Sequence, residues 1–421
     1  MQFAQSTSDL QLAFSGLDAD LSEEEQAVQE NVHRFAEEVM RPLAARMDRL
    51  SAEEAVAPGS PVYEFHEQYD QLGIDFTDLL DMDPLEGARL RSILLEELAW
   101  GDVGLTTIAL VESFPGWVAK LTGDQNLMDR FLGTRGCWLI TQPDRGSDCT
   151  DTTGDLLPEG SRQNRPNLIA EVKDGVAILN GQSSAWVSAA PLAETALAMV
   201  PADYGDGLYR ENGTTNGITL LIPLDLEGIS KGKPLEKLGQ RTLPQGEVFF
   251  DNVKVPLEYA IAGQDQYYNS VFSLLVEANQ SMGSMWLGAA RAAFEHAIIY
   301  CHERRQGGRP IIEHQSVMHR LFEMFRKIEA ARALNRRVSI YNVKAPYPHK
   351  AASILTKITS TETAAEVAAE ALQLFGGNGL TLEYPVEKLM RDAQSSLIED
   401  GENNILGLHA FEYIARAYDP R

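Results

Sequence analysis

ALQLFGGNGLTLEYPVEKLMRDAQSSLIEDGENNILGL, residues 371–408, is the stretch in which packing residues and residues suited to chemistry occur together. A helical segment ends at Gly376-Gly377, and an amphipathic run then leads to an acidic loop containing Glu399, Asp400 and Glu402. Glycines let the backbone approach a ligand closely, and an acid beside a glycine in a loop can reach into a cleft. A helix C-cap followed by a solvated acidic loop explains the same residues, so the rest of the chain has to decide.

The composition predicts a protein of two or three domains without general affinity for polyanions. The chain has 421 residues, with 36 basic and 61 acidic residues and a net charge of -25. Phosphate binding needs clustered Lys and Arg, so we expect neither nucleic acid nor an anionic membrane as a partner. The three cysteines have no CxxC spacing, no run of about 18 apolar residues occurs, and the N-terminus lacks signal-peptide features. We therefore expect a cytoplasmic protein without a membrane span, a disulfide framework or a metal site.

Hydrophobic periodicity divides the chain into three domains. Ser22 and Glu25 form a capping-box pattern before an apolar helical repeat, and a Lys-Asp-Gly turn at 173–175 joins two strand-like runs. No helices intervene between the strand-like runs, so we expect an antiparallel or mixed sheet. Four long helical segments close the chain, at 270–303, 313–343, 349–375 and 404–417. The predicted fold is α+β, with an N-terminal helical domain at 1–136, a β-domain at 137–262 and a C-terminal helical bundle at 263–421.

Several common catalytic and binding motifs are absent. No GxGxxG follows a predicted strand, and neither a Walker A sequence nor GxSxG occurs. His314 and His319 are five residues apart, which is off the helical i, i+4 spacing of zinc-binding pairs. The sequence therefore gives no support for a nicotinamide-binding Rossmann domain, a P-loop, a nucleophile elbow or a zinc site.

Three further segments carry weaker signals. Residues 140–148 form a strand end that runs into a Gly/Ser loop able to hold a polar ring edge or a phosphate, although ordinary turns have the same composition. Residues 180–188 are predicted as a strand with Trp186 and Ser188 on one side, where they can contact a flat cofactor or lie in a core. Residues 302–315 form a basic, Gly-rich link that can hold a pyrophosphate, although exposed helix-end arginines also occur without ligands.

Taken together, these segments resemble the acyl-CoA dehydrogenase family of flavoproteins over residues 22–415. ITQPDRGSD at 140–148 is similar to the family's Thr-Glu-Pro-x-x-Gly-Ser-Asp motif, and PLEKLGQRTLPQGEVFFDNVKVP at 234–256 is similar to the stretch that ends its β-domain. GGNGLTLEYPVEKLMRD at 376–392 is the closest match. The resemblance implies a helical domain, a β-barrel-like domain and a four-helix bundle, and FAD as cofactor. It also implies a homotetramer built as a dimer of dimers, with an electron-transfer flavoprotein as the electron acceptor.

The resemblance also implies which residues bind FAD. Arg304 and Gln315 match residues that contact its adenosine-diphosphate half, and Gln373 and Gly377 match residues that reach the FAD of a neighbouring subunit. The residues implied at the flavin are Ile140, Thr141, Gly146, Ser147, Trp186, Ser188, Glu402 and Asn404.

The family reaction removes the α-proton of an acyl-CoA thioester with a carboxylate while a hydride leaves the β-carbon for flavin N5, giving a 2-enoyl-CoA. Alignment of the closing motif implies that Asp400 is this base, where many members have Glu. Its side chain is shorter by one C–C bond, about 1.5 Å. A second subset of the family carries its base on the first bundle helix. The aligned position there is Ala278, so the adjacent Glu277 is a second candidate, with a solvated or helix-capping acid as the alternative.

Four departures from the family pattern keep other functions open. Gln142 replaces Glu, Gly307 replaces Phe, Glu402 replaces a flavin-contacting Thr, and Asn279 stands where Arg is common. Nitroalkane oxidases use Asp at the C-terminal position together with a nearby Arg, but Gly407 occupies the position seven residues after Asp400. A CoA-binding scaffold without catalysis is a third possibility. The acyl group of the substrate is not determined by the sequence.

Overall fold

Helices form the first part of the chain, up to a strand that begins at Gly136. The structure is a computed structural model that describes residues 16–18, 20–150, 165–211 and 214–418. The predicted capping box forms, since Ser22 Oγ accepts from Glu25 N at 3.1 Å and Glu25 Oε2 accepts from Ser22 N at 2.8 Å. The helices are α1 (Glu23–Phe35), α2 (Arg41–Met47), α3 (Ala52–Val56), α4 (Pro61–Leu72), α5 (Pro84–Gly101), α6 (Val103–Glu112), α7 (Phe114–Thr122) and α8 (Gln125–Phe131).

A mixed sheet follows the N-terminal helices. Its strands are β1 (Gly136–Leu139), β2 (Ile169–Lys173), β3 (Val176–Gln182), β5 (Thr195–Asp203), β6 (Gly217–Pro223), β7 (Ile229–Lys231), β9 (Val248–Pro256) and β10 (Ala260–Ala262), while β4 (Val187–Ser188) and β8 (Gln245–Gly246) form a separate pair. The order is β10-β6-β5-β2-β3-β9-β7, and β1 pairs in parallel with β5. β2 and β3 form the predicted hairpin, whose turn residues Asp174 and Gly175 both have positive φ.

The strand predicted over residues 180–188 is wrong in its second half. β3 ends at Gln182. Ser183 N still donates to Val248 O of β9 at 3.0 Å, but Ser184 N donates to Thr141 O at 2.9 Å. The backbone thus leaves its ladder and turns toward the end of β1. Trp186 lies in this connection, whereas Ser188 lies in the short strand β4.

The remaining helices form the C-terminal bundle. They are α9 (Tyr267–Glu303), α10 (Gln315–Lys344), α11 (Lys350–Phe375), α12 (Val386–Ser396) and α13 (Asn403–Ala417). Four of them correspond to the four predicted helices, and α12 is the amphipathic run before the acidic loop. A two-strand hairpin, β11 (Arg305–Gln306) and β12 (Arg309–Pro310), joins α9 to α10. None of the helices in the described ranges is both long enough and apolar enough to cross a membrane.

A buried cluster of charges joins α5, α9 and α10. Arg291 of α9 donates to Glu96 at 3.1 Å and to Glu97 at 2.7 Å, and both acids lie on α5. Arg332 and Arg336 of α10 each donate to Glu96 at 2.8 Å. Burial opposes ionisation of Glu96, but the attraction of the three arginines outweighs it and lowers the pKa of this carboxyl. The cluster therefore fixes the N-terminal helices to the bundle through paired charges.

Gly288 sets how closely α9 approaches α5. A Cβ atom at this position would lie 2.0 Å from Glu96 O and 2.8 Å from Trp100 N, both of which are backbone atoms of α5. We expect Gly288→Ala to push the two helices apart and to lower the free energy of unfolding by about 1–3 kcal/mol, the usual effect of overpacking. Urea unfolding of the purified protein measures this change.

Gly407 in α13 provides the matched control. A Cβ atom there would have nothing within 4 Å, so Ala adds no clash. Because Ala favours helix over Gly by about 1 kcal/mol, we expect Gly407→Ala to be as stable as the unaltered protein or more stable. Equal stability of the two variants would show that α5 and α9 have room to separate at Gly288.

Candidate active site

The acidic loop between α12 and α13 begins after a hydrogen-bonded turn and reverses direction at two residues. Glu399 N donates to Ser395 O at 3.0 Å, and Asn403 N donates to Leu397 O at 3.1 Å. Between these bonds, Asp400 and Gly401 have φ values of 51° and 100°. A positive φ is uncommon for a residue with a side chain, and such residues cluster at functional sites. The backbone strain in this loop is therefore at Asp400.

The carboxylates around this loop differ in their partners. Glu399 accepts from Trp286 Nε1 at 3.0 Å and from Gln240 Nε2 at 3.0 and 3.1 Å. Glu402 is the N-cap of α13 and accepts from the backbone N–H groups of the two residues that follow Asn403. Asp400 has no hydrogen-bond donor to its carboxylate among the residues that the structure describes. Of the three acids in the loop, Asp400 alone is thus free to accept a proton from a ligand.

The three carboxyl groups also differ in their pKa. Burial raises the pKa of Asp400 above its ordinary value, and attraction to Lys357 offsets part of the increase. Burial, with repulsion from Asp400, raises the pKa of Glu399 to about 7. Burial opposes ionisation of Glu402, but its hydrogen bonds from the start of α13 outweigh this and lower its pKa. The loop therefore holds two carboxyl groups with raised pKa next to one that is firmly ionised.

α9 contacts the loop through Asn279. Its side chain is buried, and Nδ2 donates to Asp400 O at 3.0 Å. The substitution of Asn for the Arg common at this position therefore has a structural role, since it holds the backbone of the strained residue. The neighbouring Ala278 is buried and carries no acid.

Glu277 lies inside α9, away from both helix ends, and its side chain is 35% exposed. It forms an ion pair with Arg91 of α5, and Arg91 Nη2 donates to Ser281 Oγ at 2.9 Å. The Glu277 carboxylate is thus already paired with a guanidinium.

The loop after β1 meets the acidic loop through Ser147. Ser147 Oγ accepts from Glu402 N at 2.9 Å, so these two predicted residues lie together. Thr141 Oγ1 and Ser184 Oγ are 2.6 Å apart and share a hydrogen bond. Ile140, Thr141 and Gly146 belong to the same segment, and a Cβ at Gly146 would meet nothing within 4 Å. This end of β1 therefore offers hydroxyl groups and open backbone beside the acidic loop.

Gln142 is explained by its backbone partners. Its Nε2 donates to Leu168 O at 3.0 Å, and its Oε1 accepts from Leu168 N at 2.9 Å. A carboxylate accepts hydrogen bonds but cannot donate to a carbonyl. The amide thus satisfies both groups of Leu168, which an ionised Glu could not do.

Trp186 is 62% exposed, which is unusual for so large an apolar side chain. Its carbonyl accepts from Gln245 Nε2 at 3.2 Å, and the same amide donates to Ser188 Oγ at 3.2 Å. Gln245 therefore fixes the backbone on both sides of the connection while the indole ring remains uncovered.

The other predicted cofactor residues lie at the far end of the bundle. Arg304, Gln315, Gln373 and Gly377 are exposed. The ends of α9 and α11 meet here, with Tyr300 and Phe375 stacked at 3.9 Å between ring centroids. At 1.5 Å per residue, Arg304 lies about 37 Å along α9 from Asn279. One chain therefore presents two separate groups of predicted cofactor residues.

The backbone conformation at Gly307 explains why glycine replaces a bulky residue there. Gly307 and Gly308 have φ values of 61° and 85° and form the turn between β11 and β12. Two-residue hairpin turns with positive φ at both positions favour glycine. The departure at Gly307 is thus accounted for by the hairpin.

Comparison with known proteins agrees with this architecture. The family model for the acyl-CoA dehydrogenase C-terminal domain matches residues 271–414. The benzylmalonyl-CoA dehydrogenase of Aromatoleum aromaticum is 29% identical, over 93% of this chain and 98% of that protein. The chain is therefore similar to acyl-CoA dehydrogenases over nearly its whole length.

Solved structures of acyl-CoA dehydrogenases have the same fold. Butyryl-CoA dehydrogenase from Megasphaera elsdenii has a TM-score of 0.79 and 22% identity, covering 95% of this chain and 100% of that chain. A glutaryl-CoA dehydrogenase from Mycobacterium smegmatis in complex with FADH2 has a TM-score of 0.77 and 22% identity, covering 96% and 98%. These structures confirm the predicted fold class. The family-model match and the curated relatives bear out the predicted resemblance, the oxidoreductase class and the FAD cofactor.

Sequence reasoning missed three side chains that hold the acidic loop. They are Gln240, Trp286 and Lys357, which lie on a β-domain loop, on α9 and on α11. Gln240 lies inside the segment used for the resemblance, and Lys357 interrupts a run of small and apolar residues on α11. A lysine on the buried stripe of a helix was the available signal. No group of three or more His, Cys, Asp or Glu placed to hold a metal occurs in the part of the chain that the structure describes.

Proposed function

We propose that the protein is an FAD-dependent acyl-CoA dehydrogenase in which Asp400 removes the α-proton of a CoA thioester. The observation that supports this assignment is the unengaged carboxylate of Asp400. Arg91 binds Glu277, Gln240 and Trp286 bind Glu399, and Glu402 caps α13, whereas no described donor binds Asp400. Burial also raises the pKa of Asp400, which brings it nearer to the value that suits a general base at neutral pH.

The proposed reaction breaks two C–H bonds and forms one C=C bond. The α-proton passes to the Asp400 carboxylate, and when FAD is bound it supplies N5 as the acceptor of the β-hydride. The electron pair of the α C–H bond becomes the new Cα–Cβ double bond of the 2-enoyl-CoA. Because Asp is about 1.5 Å shorter than Glu, the substrate or the backbone must lie closer, and Asn279 holds the Asp400 carbonyl against α9.

The residues at the end of β1 fit one end of a flavin. The exposed indole of Trp186 can cover an aromatic ring, and the hydroxyls of Thr141, Ser147 and Ser188 can meet its polar edge. We therefore keep Ile140, Thr141, Gly146, Ser147, Trp186, Ser188 and Asn404 as proposed flavin contacts. We also keep Glu402 as a proposed flavin contact, made by the atoms of Glu402 that do not cap α13.

The far group of residues fits the FAD of another subunit. Arg304 is about 37 Å from Asn279 along α9. We propose that Arg304 and the other exposed residues of this group, Gln315, Gln373 and Gly377, contact a neighbour's cofactor. This arrangement supports a homotetramer built as a dimer of dimers. We also propose an electron-transfer flavoprotein as acceptor and a cytoplasmic location.

Anaerobic mixing of the purified protein with candidate substrates tests the proposed function. We expect visible flavin absorbance and its bleaching by at least one CoA thioester in a panel of aliphatic, dicarboxylic and aromatic acyl groups. Bleaching by nitroalkanes alone would favour a nitroalkane oxidase. Protein without flavin absorbance, and without bleaching after added FAD, would favour a scaffold that lacks catalysis.

A further inference from the structure

Lys357 is a fully buried ammonium group beneath the acidic loop. It lies in the first third of α11 with no exposed surface. Its Nζ donates to Ser396 O at 2.9 Å, to Gly401 O at 3.0 Å and to Asn403 Oδ1 at 2.7 Å. A lysine has three N–H donors, and here each one has an acceptor in the segment 396–403. The acceptors lie on both sides of Asp400 in the chain.

Burial of the Lys357 charge is unfavourable unless interactions with neighbouring groups compensate for the lost hydration. Removing an ammonium from water costs several kcal/mol, and burial lowers the pKa of Lys357 to about 8. Its hydrogen bonds go to two carbonyls and one amide, so no carboxylate is paired directly with it. Neutral donors could fill the same hydrogen-bonding role. The charge therefore has to be explained by something other than the three acceptors.

The charges that face Lys357 are mostly negative. Glu399, Asp400 and Glu402 on the loop and Glu362 on α11 all favour its ionised form. Burial lowers the pKa of Lys237 in the β-domain to about 8, and attraction to Glu399 offsets part of this decrease. On α9, the facing residue is the uncharged Asn279, and Glu277 is paired with Arg91. Lys357 is thus the cation that acts on Asp400 and opposes the effect of burial on its carboxyl group.

We propose that Lys357 is a positioning residue for the base. It clamps the loop at Ser396 on one side and at Gly401 and Asn403 on the other, so that Asp400 is held between fixed points. Its positive charge also keeps the Asp400 carboxylate ionised, and hence able to accept a proton, at neutral pH. This inference rests on the proposed function of Asp400.

Three variants separate the clamp from the charge. Lys357→Met removes the donors and the charge, Lys357→Gln removes the charge but keeps N–H donors, and Asn403→Ala removes one acceptor and keeps the charge. Lys327→Met is the matched control, because Lys327 lies on the outer side of α10 in an exposed pair with Glu366.

The rate of anaerobic flavin reduction by an acyl-CoA is measured against pH. A lost neighbouring cation raises the pKa of a carboxyl, so Lys357→Met and Lys357→Gln should move the acid limb to higher pH by about one unit or more. At pH values below the acid limb, a shift of one unit lowers the rate of flavin reduction about tenfold. Asn403→Ala and Lys327→Met should leave the limb in place. A loss that is equal at every pH in both Lys357 variants would overturn the role of the charge.

Hydrogen exchange at residues 397–403 tests the clamp without reference to catalysis. We expect faster exchange in Lys357→Met and in Asn403→Ala than in Lys327→Met, and unchanged exchange would overturn the clamp. If Lys357→Met does not fold, Lys357→Gln supplies the pH profile and Asn403→Ala the exchange data. Undiminished reduction in Asp400→Asn would instead refute the proposed base, and exchange would still decide on the clamp.

Discussion

We expect the Asp400→Asn variant to bind FAD and to lose flavin reduction by acyl-CoA by a factor of about 10²–10⁴. The amide is close in size to the carboxylate but cannot take up the α-proton. FAD retention follows because no hydrogen bond of the described residues depends on the Asp400 carboxylate, while its carbonyl bond from Asn279 remains. Stopped-flow absorbance under anaerobic conditions measures the rate, and the flavin spectrum measures the bound cofactor.

Two matched variants identify the base. Glu277→Gln removes the second candidate, whose carboxylate is bound by Arg91, and Glu399→Gln removes the acid next to Asp400. We expect both to reduce flavin far faster than Asp400→Asn does. If Glu277→Gln were the slow variant and Asp400→Asn the fast one, the base would lie on α9 instead of the loop.

We expect Arg291→Met to lower the free energy of unfolding by about 3–5 kcal/mol. Arg291 lies between Glu96 and Glu97, and both carboxyl groups are buried. Removal of one partner of a buried ion pair leaves an uncompensated charge, which is strongly destabilising. Urea unfolding of the variant and of the unaltered protein measures the difference.

The pH dependence of this variant has a defined sign. In the unaltered protein the pKa of Glu96 and Glu97 is lowered, so their stabilisation is present at neutral pH and is lost as the pH falls through the folded values. Without Arg291, burial raises the pKa of Glu97, and protonation then relieves the destabilisation. The loss of stability should therefore be greatest at alkaline pH and smaller near pH 5.

Arg326→Met serves as the control for Arg291→Met. Arg326 pairs with Glu323 on the exposed side of α10 at 2.6 Å. Exposed ion pairs contribute little to stability, so we expect no measurable change. A similar loss in both variants would mean that the Arg side chain matters for reasons other than the buried charges.

Local patterns in the sequence predicted much of the fold. The Ser22 and Glu25 pair formed its capping box, and the turn at 173–175 formed its hairpin. These features depend on residues close together in the chain, so their partners can be identified from spacing alone. The strand predicted through Trp186 was wrong because Ser184 pairs with Thr141, more than 40 positions away.

The site was predicted in part, because motif order identified its segments but not its hydrogen bonds. Lys357 was missed since two of its acceptors are backbone carbonyls, which every residue carries. Gln142 and Gly307 were predicted as departures that put catalysis in doubt. Gln142 is explained by its hydrogen bonds to the distant backbone of Leu168, and Gly307 by a tight turn. Neither explanation involves the reacting atoms. The role of Glu402 at the cofactor stays a prediction, because its carboxylate caps α13.

The hydrogen bonds that hold the acidic loop come from residues far away in the chain. The donors and acceptors on Gln240, Asn279 and Ser147 are separated from their loop partners by 159, 121 and 255 residues. Loop-closure entropy opposes contacts of such long sequence separation until the intervening segments have folded. A partly folded chain therefore does not hold Asp400, the proposed base, in place, so the proposed site forms only when the β-domain and the bundle have both folded and docked.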